Sequence, residues 1–411
     1  MPNSKYVIIY PYKFTQRDWD RFGCDRARAR GFDVWIIQCA NILGIDDTHI
    51  QSNPIDGARH MESVNSVAEL RGVLKNLDKR DLIISLIKMD VGVEVYKELK
   101  HADLDYIWCS HSNIAQSYLP DYRATKSLFE LIIFAKDVFG GLLYRIKQRM
   151  KLIRALGISY WSLPAPLFVA KVGRANKFLQ ELVPGYWRSP VLYVQSSDHL
   201  MCSQAEAVPV GNKRKKTAVF IDQALPKHPD FKLNAKASIS DEATYYGSLR
   251  NFFDRLENDL SIDVVVTAHP RVKYTETEKI ELFGGRKVIE GNTFQVVRES
   301  DLILTHLSTA ISYAVASRKP IMILTTDILE KTFYWNYLVS TSSCLGLRRI
   351  NMDEVVRNEC RLQMPKVDMK AYERYEDNFL CARNARRGNM WDVLIDRFEE
   401  MSIERGFNSD R

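Results

Sequence analysis

The chain has 411 residues, 46% of them hydrophobic and 27% charged, with a formal net charge of +7. That composition is globular and long enough for two domains of about 200 residues each. Seven scattered cysteines without a CxxC pair set aside a zinc site and a disulfide framework. No run of 18 apolar residues occurs, and the start MPNSKYVIIYPYKF lacks the pattern of a signal peptide, so a cytoplasmic protein is expected. The mild basic excess favours anionic partners: nucleotides, acidic glycans or a membrane surface.

In chain order, residues 6–10 (YVIIY) read as a short strand, followed by a helix through DWDRFGCDRARARG and a second strand at FDVWIIQ. DLIISLI (81–87) and DLDYIWC (103–109) continue the alternation, with VGVEVYKELK between them as a crossover helix. SPVLYVQ (189–195) supplies a further strand. A basic hinge, GNKRKK (211–216), separates this first half from a second in which the alternation starts afresh. There TAVFID, IDVVVTAHP, RKVIEG, DLILTHLS and KPIMILTT read as strands. SDEATYYGSLRNFFDRLENDL (240–260) and STAISYAVASR read as helices. NMWDVLIDRFEEMSIERG repeats Trp391, Leu394, Ile395 and Phe398 at helical spacing and is placed as a helix lying back on the first domain.

These elements predict an α/β protein of two Rossmann-like domains with a cleft between them and a C-terminal crossover helix. The boundaries are an N-terminal domain at 1–211, a C-terminal domain at 212–385 and the helix at 386–411. One segment departs from the pattern: residues 125–157 are apolar first and basic after, with Arg145, Lys147, Arg149, Lys151 and Arg154 interleaved with apolar residues. A membrane-surface helix or an acceptor-binding insertion is one reading, and a helix with a solvated basic face is the other.

The chemistry-bearing residues sit where strands of the second half end. Ser308 and Thr309 open a helix, where hydroxyls and free N–H groups suit a phosphate or serve as an ordinary N-cap. His269 ends the strand VVVTA and is followed by Pro270, which has no N–H and a fixed φ, so the imidazole stands at a rigid corner. It can bond a phosphate oxygen or protonate a phosphate leaving group, and Arg271 adds a fixed charge for phosphate. Asp222 follows the first strand of the half, either as a general base or nucleophile or as an Asx-type turn cap before Ala224-Leu225-Pro226. Glu290, with Gly291, is a weaker candidate bordering a nucleoside pocket. There is no GxGxxG, P-loop, HExxH or GxSxG motif and no DxD-like metal signal, so no metal and no other cofactor is expected. Aromatics are not interleaved with the basic residues, so no nucleic acid is expected either.

An HP at a strand end, followed about 40 residues later by a Ser-[Ser/Thr] pair opening a helix that runs into KPIMIL, resembles the bacterial sialyltransferases, polysialyltransferases and capsular Kdo transferases. The second half and the opening YPYKFTQRDWDRFG also resemble surface-carbohydrate biosynthesis proteins. The resemblance implies a GT-B glycosyltransferase taking a CMP-activated ulosonic acid, sialic acid-like or Kdo, to a glycan or glycolipid acceptor of capsule, O-antigen or lipooligosaccharide. It implies that His269 and Pro270 match the HP motif, that Ser308 and Thr309 bind the CMP phosphate, and that Asp222 stands in the place of the catalytic acid. Here the acid reads Ile221-Asp222-Gln223, where the family has a D/E-D/E-G motif. UDP- or GDP-sugar transfer, a UDP-GlcNAc 2-epimerase-like activity and a non-catalytic glycan-assembly subunit are the rival readings. Location at the inner membrane face goes with the basic segment.

Overall fold

A computed structural model of the chain describes residues 4–47, 55–88, 91–110, 150, 153–154, 157, 159–175, 184–206, 215–227, 242–269, 272–332 and 334–406. Most of the basic segment 125–157, the hinge residues 211–214, and Pro270 and Arg271 lie outside the described residues. The chain forms two compact units. Described residues 4–110, 150–197 and 381–406 make the first, and residues 198–380 the second.

The first unit holds one parallel sheet of seven strands: β1 (Lys5–Tyr10), β2 (Asp33–Gln38), β3 (His60–Ser63), β4 (Leu82–Ser85), β5 (Ile107–Ser110), β6 (Val169–Val172) and β7 (Val191–Val194). They lie in the order β3-β2-β1-β4-β5-β6-β7. A parallel sheet is covered on both faces, so its central strands are apolar without interruption, as YVIIY is. Successive side chains then feed opposite cores. Tyr6 and Ile8 pack with Trp19, Phe22 and Trp391, whereas Val7 and Ile9 pack with Leu70, Val95 and Leu99.

The helix expected through DWDRFGCDRARARG is two helices, Gln16–Arg21 and Cys24–Ala29, broken at Gly23. Gly23 has φ +70, and a Cβ there would lie 2.5 Å from Trp391 Cβ and Cγ. The break therefore makes room for the C-terminal helix Met390–Glu404, which docks on this unit as expected. Trp391 Nε1 donates to Arg21 O at 2.7 Å, while Arg26 pairs with Asp392 at 2.6 Å and Arg30 with Asp396 and Glu399 at 2.5 and 2.8 Å.

The second unit repeats the plan with six parallel strands: β8 (Thr217–Ile221), β9 (Asp263–Thr267), β10 (Val288–Ile289), β11 (Leu302–Thr305), β12 (Ile321–Thr325) and β13 (Arg349–Asn351). The order is β10-β9-β8-β11-β12-β13. Its largest core joins Ala218 and Phe220 of β8 to Tyr245, Leu249, Phe252 and Leu256 of the helix Glu242–Leu260. In each unit the first strand lies at the centre and the fourth beside it, which is the Rossmann order. Two such units and a C-terminal helix returned to the first are consistent with the GT-B class. Among the described residues no helix is long and apolar enough to cross a membrane.

Candidate functional site

The order of the second sheet reverses at β8. From there the chain builds outward through β9 and β10 on one side and, from β11, through β12 and β13 on the other. Connections on the two sides cover opposite faces, which leaves a crevice beyond the carboxyl ends of β8 and β11. The residues there are Asp222-Gln223-Ala224 and His306-Leu307-Ser308-Thr309, with His269 just past the end of neighbouring β9.

Gln223 ties the two segments together. Its Oε1 accepts from Leu307 N–H at 2.6 Å and its Nε2 donates to Tyr334 OH at 2.8 Å, while that hydroxyl donates to Leu307 O at 3.0 Å. The amide thus holds both polar groups of one peptide residue, directly and through Tyr334, and fixes the start of the Ser308-Thr309 turn.

Asp222 is 2% exposed. Oδ1 accepts from Ala224 N–H at 2.8 Å and Oδ2 from Tyr274 OH at 2.7 Å, the main-chain N–H of His269 donates to the same carboxylate, and the N–H of Gln223 adds a weaker pull on its charged form. The bond to Ala224, two residues on, closes an Asx turn, and Ala224 has φ +47. Turn capping, one of the two roles open to Asp222 in the sequence, is thus realised. Burial pushes its pKa up, and the donors pull the other way. Tyr246 OH lies 3.3 Å from Tyr274 OH and extends the network.

His306 is fully buried. Its Nδ1 lies 2.8 Å from Leu324 O, which only accepts, so Nδ1 carries the proton. Nε2 then accepts from Tyr245 OH at 2.8 Å. Burial pushes the His306 pKa down to about 4. This is a neutral core histidine with both nitrogens used.

Ser308 and Thr309 stand just ahead of their helix and do not open it. The helix spans Ile311–Ala316 with Ala310 at its cap position. Ser308 Oγ accepts from Ala310 N–H at 3.2 Å, and the carbonyls of Ser308 and Thr309 accept from Ile311 and Ser312 N–H, each at 3.1 Å. Thr309 is exposed and Ser308 partly so. His269 is partly exposed, and its carbonyl accepts from Val272 N–H at 3.0 Å.

Glu290 stands apart from this group. It follows β10, two strands from β8, and is 51% exposed at its side chain, where it pairs with Lys279 at 2.8 Å. A cleft of about 360 Å3 also lies elsewhere in the unit, lined by Tyr245, Ser248, Asn251, Thr326, Asp327 and Arg357 among others. None of the residues expected from the sequence faces it, and its Asp327 and Arg357 pair with each other. The structure therefore joins Asp222 to His269 by a hydrogen bond and to Ser308-Thr309 through Gln223. Gln223, Tyr274, Tyr245 and Tyr334 were not singled out in the sequence. Only the position of Gln223 beside Asp222 at a strand end marks any of them there.

No protein-family model matches the sequence, nor does any curated protein. Solved structures similar to the chain include LpCGTa in complex with UDP, at 10% identity and a TM-score of 0.49, with 97% of this chain and 99% of that one covered. The S. aureus MnaA–UDP structure is 11% identical, with a TM-score of 0.47 and coverage of 99% and 98%. Acinetobacter baumannii MurG is 8% identical, with a TM-score of 0.46 and coverage of 97% and 100%.

Proposed function

We propose that the chain is a glycosyltransferase whose second unit binds a nucleotide sugar at the carboxyl ends of β8, β9 and β11, and whose first unit serves a glycan acceptor. The donor in this reading is a CMP-activated ulosonic acid, sialic acid-like or Kdo, and the acceptor a surface glycan or glycolipid. The observation that carries it is the placing of His269 on one side of β8 and the Ser308-Thr309 turn on the other, with solvent access at each.

An imidazole and two hydroxyls suit one phosphate group, as a CMP leaving group presents. As the acceptor hydroxyl oxygen bonds to the anomeric carbon, the bond from that carbon to the phosphate oxygen breaks and CMP leaves with the electron pair. His269 and the hydroxyls of Ser308 and Thr309 stabilise the charge that develops on the phosphate, and protonated His269 can deliver a proton to it. The acceptor's proton passes to a base.

Thermal unfolding with CMP, UDP and GDP tests the reading. CMP is expected to stabilise the protein, by about 2.7 kcal/mol at a hundredfold excess over its Kd. His269→Ala is expected to remove most of that shift. Stabilisation by UDP or GDP alone selects a different donor or a 2-epimerase-like enzyme, and no shift with any nucleotide leaves a non-catalytic assembly subunit.

A further inference from the structure

We infer that Asp222 is a positioning residue that sets the main chain of the His269 corner, with Tyr274 as its second anchor, and that the proton acceptor of the reaction is another group. The inference rests on the reading above for its catalytic readout, and on hydrogen-bond geometry for its content.

An ionised carboxylate has about four lone-pair sites. In Asp222 three donors of this chain take up sites, Ala224 N–H, His269 N–H and Tyr274 OH, and the N–H of the next residue, Gln223, adds a weaker pull on the charged form. A base must come within about 2.6–3.2 Å of the proton it takes. A carboxylate 2% exposed and held on both oxygens by its own chain leaves an acceptor hydroxyl little room to dock. The positions of the donors explain why a carboxylate stands there. Gln223 and Ala224 continue the chain from β8, while His269 follows β9 and Tyr274 stands five residues on. One group therefore ties His269 and Tyr274 to the end of β8. Among the described residues no cation pairs with Asp222, and its partners there are N–H and O–H groups. An amide could not substitute fully, because its NH2 would face groups that already donate.

The test compares Asp222→Asn, Tyr274→Phe and each of them combined with His269→Ala, measuring kcat, KM and the pH profile of nucleotide release. Positioning predicts that each single variant lowers kcat/KM by about tenfold to a hundredfold. It also predicts that the acidic limb of kcat stays where it is, and that most of the loss disappears in the His269→Ala background. A base predicts a loss of about 10²- to 10⁴-fold for Asp222→Asn that persists beside His269→Ala, with the acidic limb gone. It further predicts an acidic limb moved to higher pH in Tyr274→Phe, since that variant removes a donor to the charged form. Either base result overturns the inference. Tyr274→Phe removes a single hydroxyl and carries the test if Asp222→Asn does not fold.

Failure of the donor reading shows itself differently, as no turnover by the unaltered protein with any nucleotide sugar. Amide hydrogen exchange then decides the inference alone. The His269 and Ala224 amides are expected to exchange at least about tenfold faster in Tyr274→Phe or Asp222→Ala, and unchanged protection overturns it.

Discussion

In the first unit the two strands at the reversal, β1 and β4, end at Tyr10 and Ser85; in the second, β8 and β11 run into Asp222-Gln223 and His306. Ser85 Oγ lies 2.9 Å from Tyr96 OH, which donates to Ile87 O at 2.6 Å, so the end of β4 is closed by neutral groups, while past β1 the buried Asp47 accepts from Lys13 N–H at 2.7 Å with the Lys13 ammonium 4.0 Å away. In the second unit the two ends are closed by a buried carboxylate with no cation partner among the described residues and by a buried imidazole. Strand order is the same in both, and it dictates only that a crevice exists. The few residues past the last paired position decide what the crevice can do, and the sheet does not need them to form.

The largest way to sharpen this contrast is to remove the imidazole. His306→Ala leaves Tyr245 OH and Leu324 O without partners inside the core and opens a cavity. The expected loss is about 3 kcal/mol or more of unfolding free energy, read by urea titration. The same side chain gives the contrast a pH signature. Its folded pKa of about 4 lies below the usual 6.5, so between these values the unfolded chain holds the proton and the folded one does not. Stability therefore rises with pH across that window. It is fully present above pH 6.5 and falls by about 3 kcal/mol as the pH drops through 4. Wild type minus His306→Gln isolates the contribution, and parallel pH profiles for the two proteins would mean that the imidazole is not what makes this crevice acid-sensitive.

Gln223→Ala should act second. It orphans Leu307 N–H and loosens Tyr334, at a cost of about 2 kcal/mol. Because Leu307 leads into the Ser308-Thr309 turn, CMP binding should weaken beyond what lower stability explains. Calorimetric titration well below the unfolding temperature checks this, and unchanged affinity would detach the turn from the phosphate.

What the sequence made legible follows from the range of the forces involved. The central strands were readable because burial on both faces demands unbroken apolar runs. Strands β3 (HMES), β6 (VAKV) and β13 (RIN) were not singled out. The first and last are polar sheet edges, and Lys171 interrupts the middle one although it is only 7% exposed. The break at Gly23 depends on Trp391 from the far end of the chain, which no local window contains. His269 and Ser308-Thr309 could be found because strand ends and hydroxyl pairs are local signals. The state of Asp222 could not, since it is set by Tyr274 and by main-chain groups of a neighbouring strand.

The smallest expected effect probes how far the second crevice extends. Glu290 was a candidate because it also follows a strand, but β10 is the sheet edge and the carboxylate is spent on Lys279, which Glu276 holds as well at 2.7 Å. Exposed pairs of this kind add little, and here a second carboxylate remains to hold the lysine. Glu290→Gln should therefore leave both the unfolding midpoint and CMP affinity unchanged within error, measured beside His269→Ala. Weakened CMP binding by Glu290→Gln would place the nucleoside over β9 and β10 and shift the binding region from the reversal point toward the sheet edge.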